Sequence, residues 1–383
     1  MPPLNCASRS CRSLYLLTSS SLFLLFSAWK NSLGSPPLQL GPIVSCSHDT
    51  CVVRNACIST NATLFVDERT TPSDIEILKK AFWRSKRSAT YSVGISSRDL
   101  RRRAVKSVTR AAMIDRYEER NCGHVLGDEA WPLFRLMRRA NLYVTDDDKL
   151  DIFVDRKLPS KCDEALEPLT NFAHVYSLRI SHHRTHCYDT LHFGISGLSY
   201  VDNDVEYLRS SAFPREMREF RALFYKHSGV LQPRSKPSKV VIMLKRNGSH
   251  LVNIENVEQV KSSAMRTFRG LDVVIACWED YTLVEQVQLM SDTKVLIGLP
   301  GSDIMNSIFM PDGSFVMLYC RYVAGVKEAS NEVQLWLQYL RYVNVHQFCE
   351  EPFDVQLSGS GDVIVNASHF VGIANVVEGL GND

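Results

Sequence analysis

The chain has 383 residues, of which 45% are hydrophobic and 22% charged, enough apolar content for a large core and too much for wholesale disorder. A formal net charge of +2 gives no electrostatic reason to expect nucleic acid as a partner. No internal repeat or low-complexity run interrupts the sequence.

The first element in chain order is an uncharged stretch from Ser13 to Trp29, short for a bilayer span and weakened by its serines. Arg9 and Arg12 precede it, so the bias of positive charge toward the cytosol places the N-terminus on that side. A cleaved signal peptide is the competing reading, but Phe26 stands where a small residue is wanted before Ala28. The stretch therefore reads as a transmembrane signal anchor at residues 13–29 after a cytosolic tail at 1–12. Everything that follows then enters the secretory pathway. Asn61, Asn247 and Asn366 each head an Asn-X-Ser/Thr sequon, which agrees with that address. Of the 11 cysteines, only Cys6 and Cys11 precede the anchor. The rest can pair in an oxidising lumen, their odd number leaving at least one thiol over, and none shows the paired CxxC spacing of a zinc site.

Residues 30–72 read as a stem, rich in Ser, Gly and Pro at first, with a small cross-linked cap from Cys46 to Cys57. Residues 73–226 form a first lobe. "DIEILKKAFWRS" and "EAWPLFRLMRRA" have helical spacing, while "NLYV", "LDIFV" and "FAHVYSLRI" read as strands. Residues 227–239, with two prolines and little periodicity, predict a linker. From 240 to 350 the rhythm is regular: "KVVIMLKR", "LDVVIACW", "KVLIGL" and "SFVMLYC" are apolar strands alternating with amphipathic helices. That alternation predicts a doubly wound, mostly parallel sheet, followed by a C-terminal extension at 351–383. Ligands of such sheets bind outside the carboxyl ends of the strands, at the loops "KRNGSH", "WEDY" and "GLPGSD".

Several residues carry chemistry. Gly298 and Gly301 open a strand-to-helix turn whose free N–H groups suit an anion, with Asp303 as a cap in the plainer reading. Arg246 follows the first strand of the regular half, where a guanidinium can fork onto a diphosphate; a surface salt bridge to Glu255 or Glu258 is the alternative. Asp146–Asp148 and Asp202–Asp204 invite a metal reading, but solvated acidic turns are commoner. His182, His183 and His186 read as exposed histidines. His124 and Asp128, four residues apart, share one helical face and suit the deprotonation of a hydroxyl, or else serve only a helix start.

Taken in order and spacing, "NCGHVLGDEAWPLF", "CYDTLHFGISGL", "VVIMLKRNGSHLVN" and "LVEQVQLMSDTKVLIGLPGSDIMNSIFMPDGS" resemble glycosyltransferase family 61. Gln286, Gly298, Gly301, Asn306, Pro311, Gly313 and Ser314 match its most specific motif, His124 and Asp128 an "H…D" of several members, and Arg246 the arginine after the first strand of the nucleotide lobe. Pro300 and Gly301-Ser302-Asp303 stand where the family commonly has "HGAG", Gly127 where many members have histidine, and His250 where a further arginine is usual. The resemblance implies an α/β fold of the GT-B kind, two Rossmann-like lobes behind the N-terminal transmembrane helix. It implies inverting transfer from a UDP-sugar to a hydroxyl of a glycan or glycoprotein acceptor. Arg246, Gly298, Gly301, Ser302 and Asn306 would then bind the donor, and Asp128 with His124 would serve the acceptor. No metal ligand or cofactor is required; Mn2+ is compatible with such a site but not essential to it. The expected location is the Golgi or ER membrane, as a single-pass type II protein with a lumenal catalytic domain. A catalytically degenerate member that binds lumenal ligands without turnover is the alternative.

Overall fold

The computed structural model describes residues 44–46, 50–59, 63–82, 92–95, 110–114, 121–140, 150–154, 161–170, 173–177, 185–193, 205–230, 235–244, 253–323, 326–328, 336–348, 355–357 and 362–379. The expected anchor, the sequons at Asn61 and Asn247, Arg246, both acidic triplets, His182 and His183 lie outside them. Among the described residues no helix is long and apolar enough to cross a membrane.

The strands of the first half form an eight-stranded sheet: β1 (Val44–Cys46), β2 (Cys51–Ile58), β3 (Thr63–Val66), β4 (Ser92–Ile95), β5 (Arg110–Ile114), β6 (Leu150–Val154), β7 (Ala173–Ser177) and β8 (His186–Phe193). Their order is β4-β3-β2-β8-β5-β6-β7, with β1 on β2. The strands β8, β5, β6 and β7 run parallel, but β2 is antiparallel to β1, β3 and β8, so this sheet is mixed rather than doubly wound throughout. The connections between β1, β2 and β3 are too short for a crossover, and such links can only return the chain antiparallel. The segment expected to be stem and cap thus supplies three strands of the sheet. Its cysteines divide accordingly: Cys46–Cys51 closes the β1–β2 turn, and Cys57 pairs with Cys187, the residue opposite it on β8.

Helix α1 (Pro72–Phe82) follows β3. The rod we label α2 starts at Cys122, runs as a π-helix over Val125–Ala130, and continues as α-helix over Trp131–Arg139. Pro132 accounts for the wide turn: it has no N–H, and in a regular α-helix its ring would meet the carbonyl of Asp128. Helices α3 (Val205–Arg209) and α4 (Ala212–His227) lead into the second half.

That half is built on five parallel strands, β9 (Lys239–Leu244), β10 (Asp272–Cys277), β11 (Thr293–Gly298), β12 (Ser314–Tyr319) and β15 (Val343–Phe348), in the order β10-β9-β11-β12-β15. A small hairpin, β13 (Arg321–Val323) with β14 (Val326–Glu328), intervenes. Helices α5 (Val257–Thr267) and α6 (Leu283–Met290) make the crossovers. Successive residues of each strand serve opposite faces. Val240, Ile242, Val295, Ile297 and Phe315 pack against α5 and against α7 (His369–Gly379). The C-terminal extension, with its hairpin β16 (Val355–Leu357) and β17 (Val363–Val365), therefore completes one layer of the second half.

On the other face Val241, Met243, Leu296, Val316 and Leu318 join one core with α6, α4 and α2. Trp131, Phe134, Phe213, Phe220, Phe224 and Phe309 form a continuous chain of aromatic contacts through it. Tyr225 donates to the carbonyl of Phe309 at 2.6 Å, and Arg221 reaches Met310 O at 2.6 Å and Asp312 at 2.7 Å. Helix α4, assigned by sequence to the first lobe, is thus bonded directly to the second.

Candidate active site

In the second sheet β9 lies between β10 and β11, so the direction of winding reverses at β9. In such a sheet ligands occupy the crevice beyond the carboxyl ends of the strands at that point. A cavity of ≈ 410 Å³ lies there, within the range of small-molecule sites. One wall is the loop after β10, from Trp278 to Leu283; another is Ser302, Asp303 and Asn306 after β11. The opposite wall comes from the first half: Asn121, Cys122, Gly123 and Leu126 of α2, with Cys162, Glu164 and Ala165.

The loop after β11 owes its shape to glycine. Gly301 has φ 156° and ψ 176°, a conformation open essentially to glycine alone. It leads into a 3-10 helix, Ser302–Phe309, in which Asp303 stands in the first turn. Gly298 and Pro300 are buried behind the loop. Gly123 abuts it from the other side: a Cβ there would sit 2.1 Å from the carbonyl oxygen of Ser302. The two sequence blocks thought to act together therefore touch, and only a glycine permits the approach.

Helix α2 starts seven residues before the stretch "EAWPLFRLMRRA" suggested. Asn121 is its cap, accepting from His124 N at 3.4 Å, so Asp128 and Glu129 lie inside the helix and are buried. His124 Nδ1 and Asp128 Oδ2 are 2.8 Å apart, which confirms the shared face. The carboxylate is the deeper member, its side chain 3% exposed against 19% for the imidazole. The pair stands on the turn of α2 that carries Gly123 and Leu126 into the cavity wall, but neither residue lines the cavity itself. His186, the described member of the histidine triple, is buried in β8 rather than exposed.

Of the residues that pin the site, Gln286 is read in sequence as part of the family motif, whereas Glu164 is not singled out there. Gln286 is buried and donates to the carbonyls of Trp278 at 3.0 Å and Tyr281 at 3.1 Å, which fixes the loop after β10. Glu164 accepts from the backbone N–H of Leu283 at 2.9 Å, adding a cap from the first half to helix α6. Thr282 and Glu285 complete that helix start as a capping box, and the bond from Thr282 N–H holds the Glu285 carboxyl below its usual range. A disulfide, Cys122–Cys162, ties the start of α2 to the segment bearing Glu164. The "T-x-x-E" spacing is a local helix-start signal. The bonds of Gln286 also stay within its own loop and helix, whereas the bond of Glu164 to Leu283 reaches across the fold and has no local pattern.

Fold and crevice together define an α/β protein with a cavity between a parallel sheet and the helix that faces it. The sequence profile of Glycosyltransferase 61 matches residues 84–317, and the chain belongs to that family. No curated protein matches the chain. Among solved structures it is similar to the bacterial iron-containing dodecameric glycosyltransferase TibC from enterotoxigenic E. coli H10407, with 14% identity and a TM-score of 0.30. That match covers 58% of this chain and 62% of TibC, less than two thirds of its length.

Proposed function

We propose that this protein is an inverting glycosyltransferase of the secretory pathway, moving a sugar from a UDP-sugar to a hydroxyl of a glycan or glycoprotein. The observation that carries the reading is the contact of Gly123 with Ser302, which sets the His124–Asp128 block and the Gly298–Asn306 loop on one crevice of a family 61 chain. In this proposal the two halves act as GT-B lobes, and the N-terminal segment anchors the chain as a type II protein in the Golgi or ER membrane. Gly298, Gly301, Ser302 and Asn306 shape the donor side, and Arg246 neutralises the diphosphate as it leaves. With Nδ1–H bonded to Asp128, the His124 imidazole keeps a lone pair at Nε2 for the acceptor proton, and Asp128 stabilises the imidazolium that results. Basic side chains and helix N-termini serve the leaving group, so the scheme needs no metal.

The test is calorimetric titration of the purified lumenal fragment with UDP, UDP-GlcNAc, UDP-xylose, UDP-arabinose, UDP-glucose and GDP-mannose, with and without Mn2+, beside Arg246→Ala. One UDP-sugar binding to the parent and lost in Arg246→Ala supports the reading. Folded protein that binds none of them refutes it. A second reading, a lumenal binding protein without turnover, draws on Pro300 and on the carboxylate of Asp303 in the cavity wall. Binding with neither transfer nor hydrolysis would favour it.

A further inference from the structure

The large apolar side chains that reach solvent are not scattered over the molecule. Among the described residues three of the four, Met265, Val371 and Val376, lie on α5 and α7. These two helices cover one face of the second sheet and meet through Phe268 and Phe370. Helix α7 buries Phe370, Ile373 and Ala374, so its outer arc is Val371, Gly372, Asn375 and Val376, without a charge. Val371 is 59% and Val376 47% exposed, and a Cβ at Gly372 would meet nothing within 4 Å. A surface helix ordinarily turns charged residues to water, so an open, uncharged outer arc calls for a cover.

The residues just ahead of that arc supply one. Asn366-Ala367-Ser368 joins β17 to α7, and both Asn366 and Ser368 are exposed. Asn366 Oδ1 accepts from the backbone N–H of Ser368 at 3.0 Å. This bond uses the side-chain oxygen and not Nδ2, the atom to which an N-linked sugar is joined. The disulfides Cys46–Cys51, Cys57–Cys187 and Cys122–Cys162 suit the oxidising compartment in which such a sequon is modified.

We propose that Asn366 carries an N-linked oligosaccharide that lies along the outer arc of α7 and covers Val371 and Val376. The inference rests on the secretory address proposed above and adds which sequon is used and what its glycan does. In the modification the Nδ2–C1 bond forms as the C1–O bond to a polyprenyl diphosphate breaks. The diphosphate leaves with the electron pair, and the amide gives up a proton. The 11 residues of α7 span about 16 Å, and the sequon stands at the N-terminal end of that length. A branched oligosaccharide of several sugars reaches along it. The C–H faces of the sugar rings then cover the valine methyls while the hydroxyls stay in water, which withdraws apolar surface without a protein partner. A face covered in this way is also closed to a second copy of the chain.

The experiment expresses the full chain in a eukaryotic cell, treats the folded protein with a peptide-N-glycosidase, and maps its peptides by mass spectrometry. The enzyme leaves aspartate wherever a glycan was attached, and the expected result is aspartate at 366. Conversion at 61 or 247 but not at 366 overturns the proposal and leaves the secretory address in place. Conversion at none of the three overturns both. Cover is read by a dye that binds exposed apolar surface, before and after treatment of the folded protein. Dye binding should rise several-fold on removal of the glycan, and the double change Val371→Ser with Val376→Ser should abolish the rise. Ser368→Ala destroys the sequon but keeps the backbone N–H bonded to Asn366, so it should raise dye binding equally without treatment and decides the question if the double variant does not fold. A glycan at 366 whose removal leaves dye binding unchanged overturns its role as a cover. Self-association of the glycosylated chain that is lost in the double variant does so too, and gives the face to a second copy.

Discussion

Asp128 and Gly123 lie on the same two turns of α2 and make opposite demands on it. Asp128 is needed for a charge: replacing it by Asn keeps the shape but withdraws the carboxylate that orients His124. On the proposed mechanism Asp128→Asn lowers kcat on the order of 10²-fold or more with KM little changed, measured by steady-state transfer assays. Unaltered kcat would remove the pair from the chemistry. Gly123 is needed for an absence. An alanine methyl would stand 2.1 Å from the Ser302 carbonyl oxygen, backbone that cannot yield cheaply. Gly123→Ala is expected to cost about 1–3 kcal/mol in urea denaturation and to weaken donor binding, because the loop must retreat. An unchanged midpoint and affinity would show that the contact is slack. The His–Asp spacing was visible in sequence because a helix repeats locally. The need for glycine at 123 was not, since the atom it makes room for is far along the chain.

At the scale of elements, the site depends on how α2, α6 and the loops between them are pinned. Helix α6 begins with a capping box that its own sequence supplies and a second acceptor, Glu164, that comes from the first half. Glu164→Ala leaves the Leu283 N–H without that partner and frees one wall of the cavity. The expected cost is about 1–2 kcal/mol by chemical denaturation, as for the loss of a helix cap. Glu285 stays in place to hold the Thr282 end, so the helix itself survives and circular dichroism should be unchanged. A fall in helix content would mean that Glu164 does more than cap. Periodicity read β9 to β12 and their crossover helices nearly as they stand, because each strand is apolar on both faces. It started α2 late, because the polar turn before Pro132 is helical only with a widened ring that a 3.6-residue pattern does not describe.

For the whole molecule, the fold is held by ties between segments distant in sequence. Ser238, at the entrance to β9, donates its N–H and hydroxyl to Asp292 at 2.9 and 2.8 Å, and Lys239 lies 3.1 Å from the same carboxylate. Burial alone would raise the pKa of Asp292, but these bonds outweigh it and hold the carboxyl below its ordinary value of 3.8. A folded-state pKa below the unfolded one means that the unfolded chain binds more protons in that window, so stability rises with pH there. The contribution is complete above 3.8 and is lost as pH falls through the lowered value. Asp292→Asn should therefore cost about 1–3 kcal/mol near neutrality and flatten the acid limb of a plot of urea midpoint against pH. An acid limb as steep as the parent's would assign the effect to other carboxylates.

The sequence by itself determined the α/β class, the parallel second sheet and the family, because apolar runs, helical spacing and a local motif are all short-range properties. Only the tertiary structure decided that residues 44–66 belong to the first sheet, that Cys57 pairs with Cys187, that α4 packs against the second half, and that α7 closes one of its faces. Each of these depends on which surfaces meet across more than a hundred residues or at a chain end, and nothing in a strand's own pattern names its neighbour. The cavity follows the same rule: its described walls come from four separate stretches, and their carboxylates converge only when those stretches fold against one another.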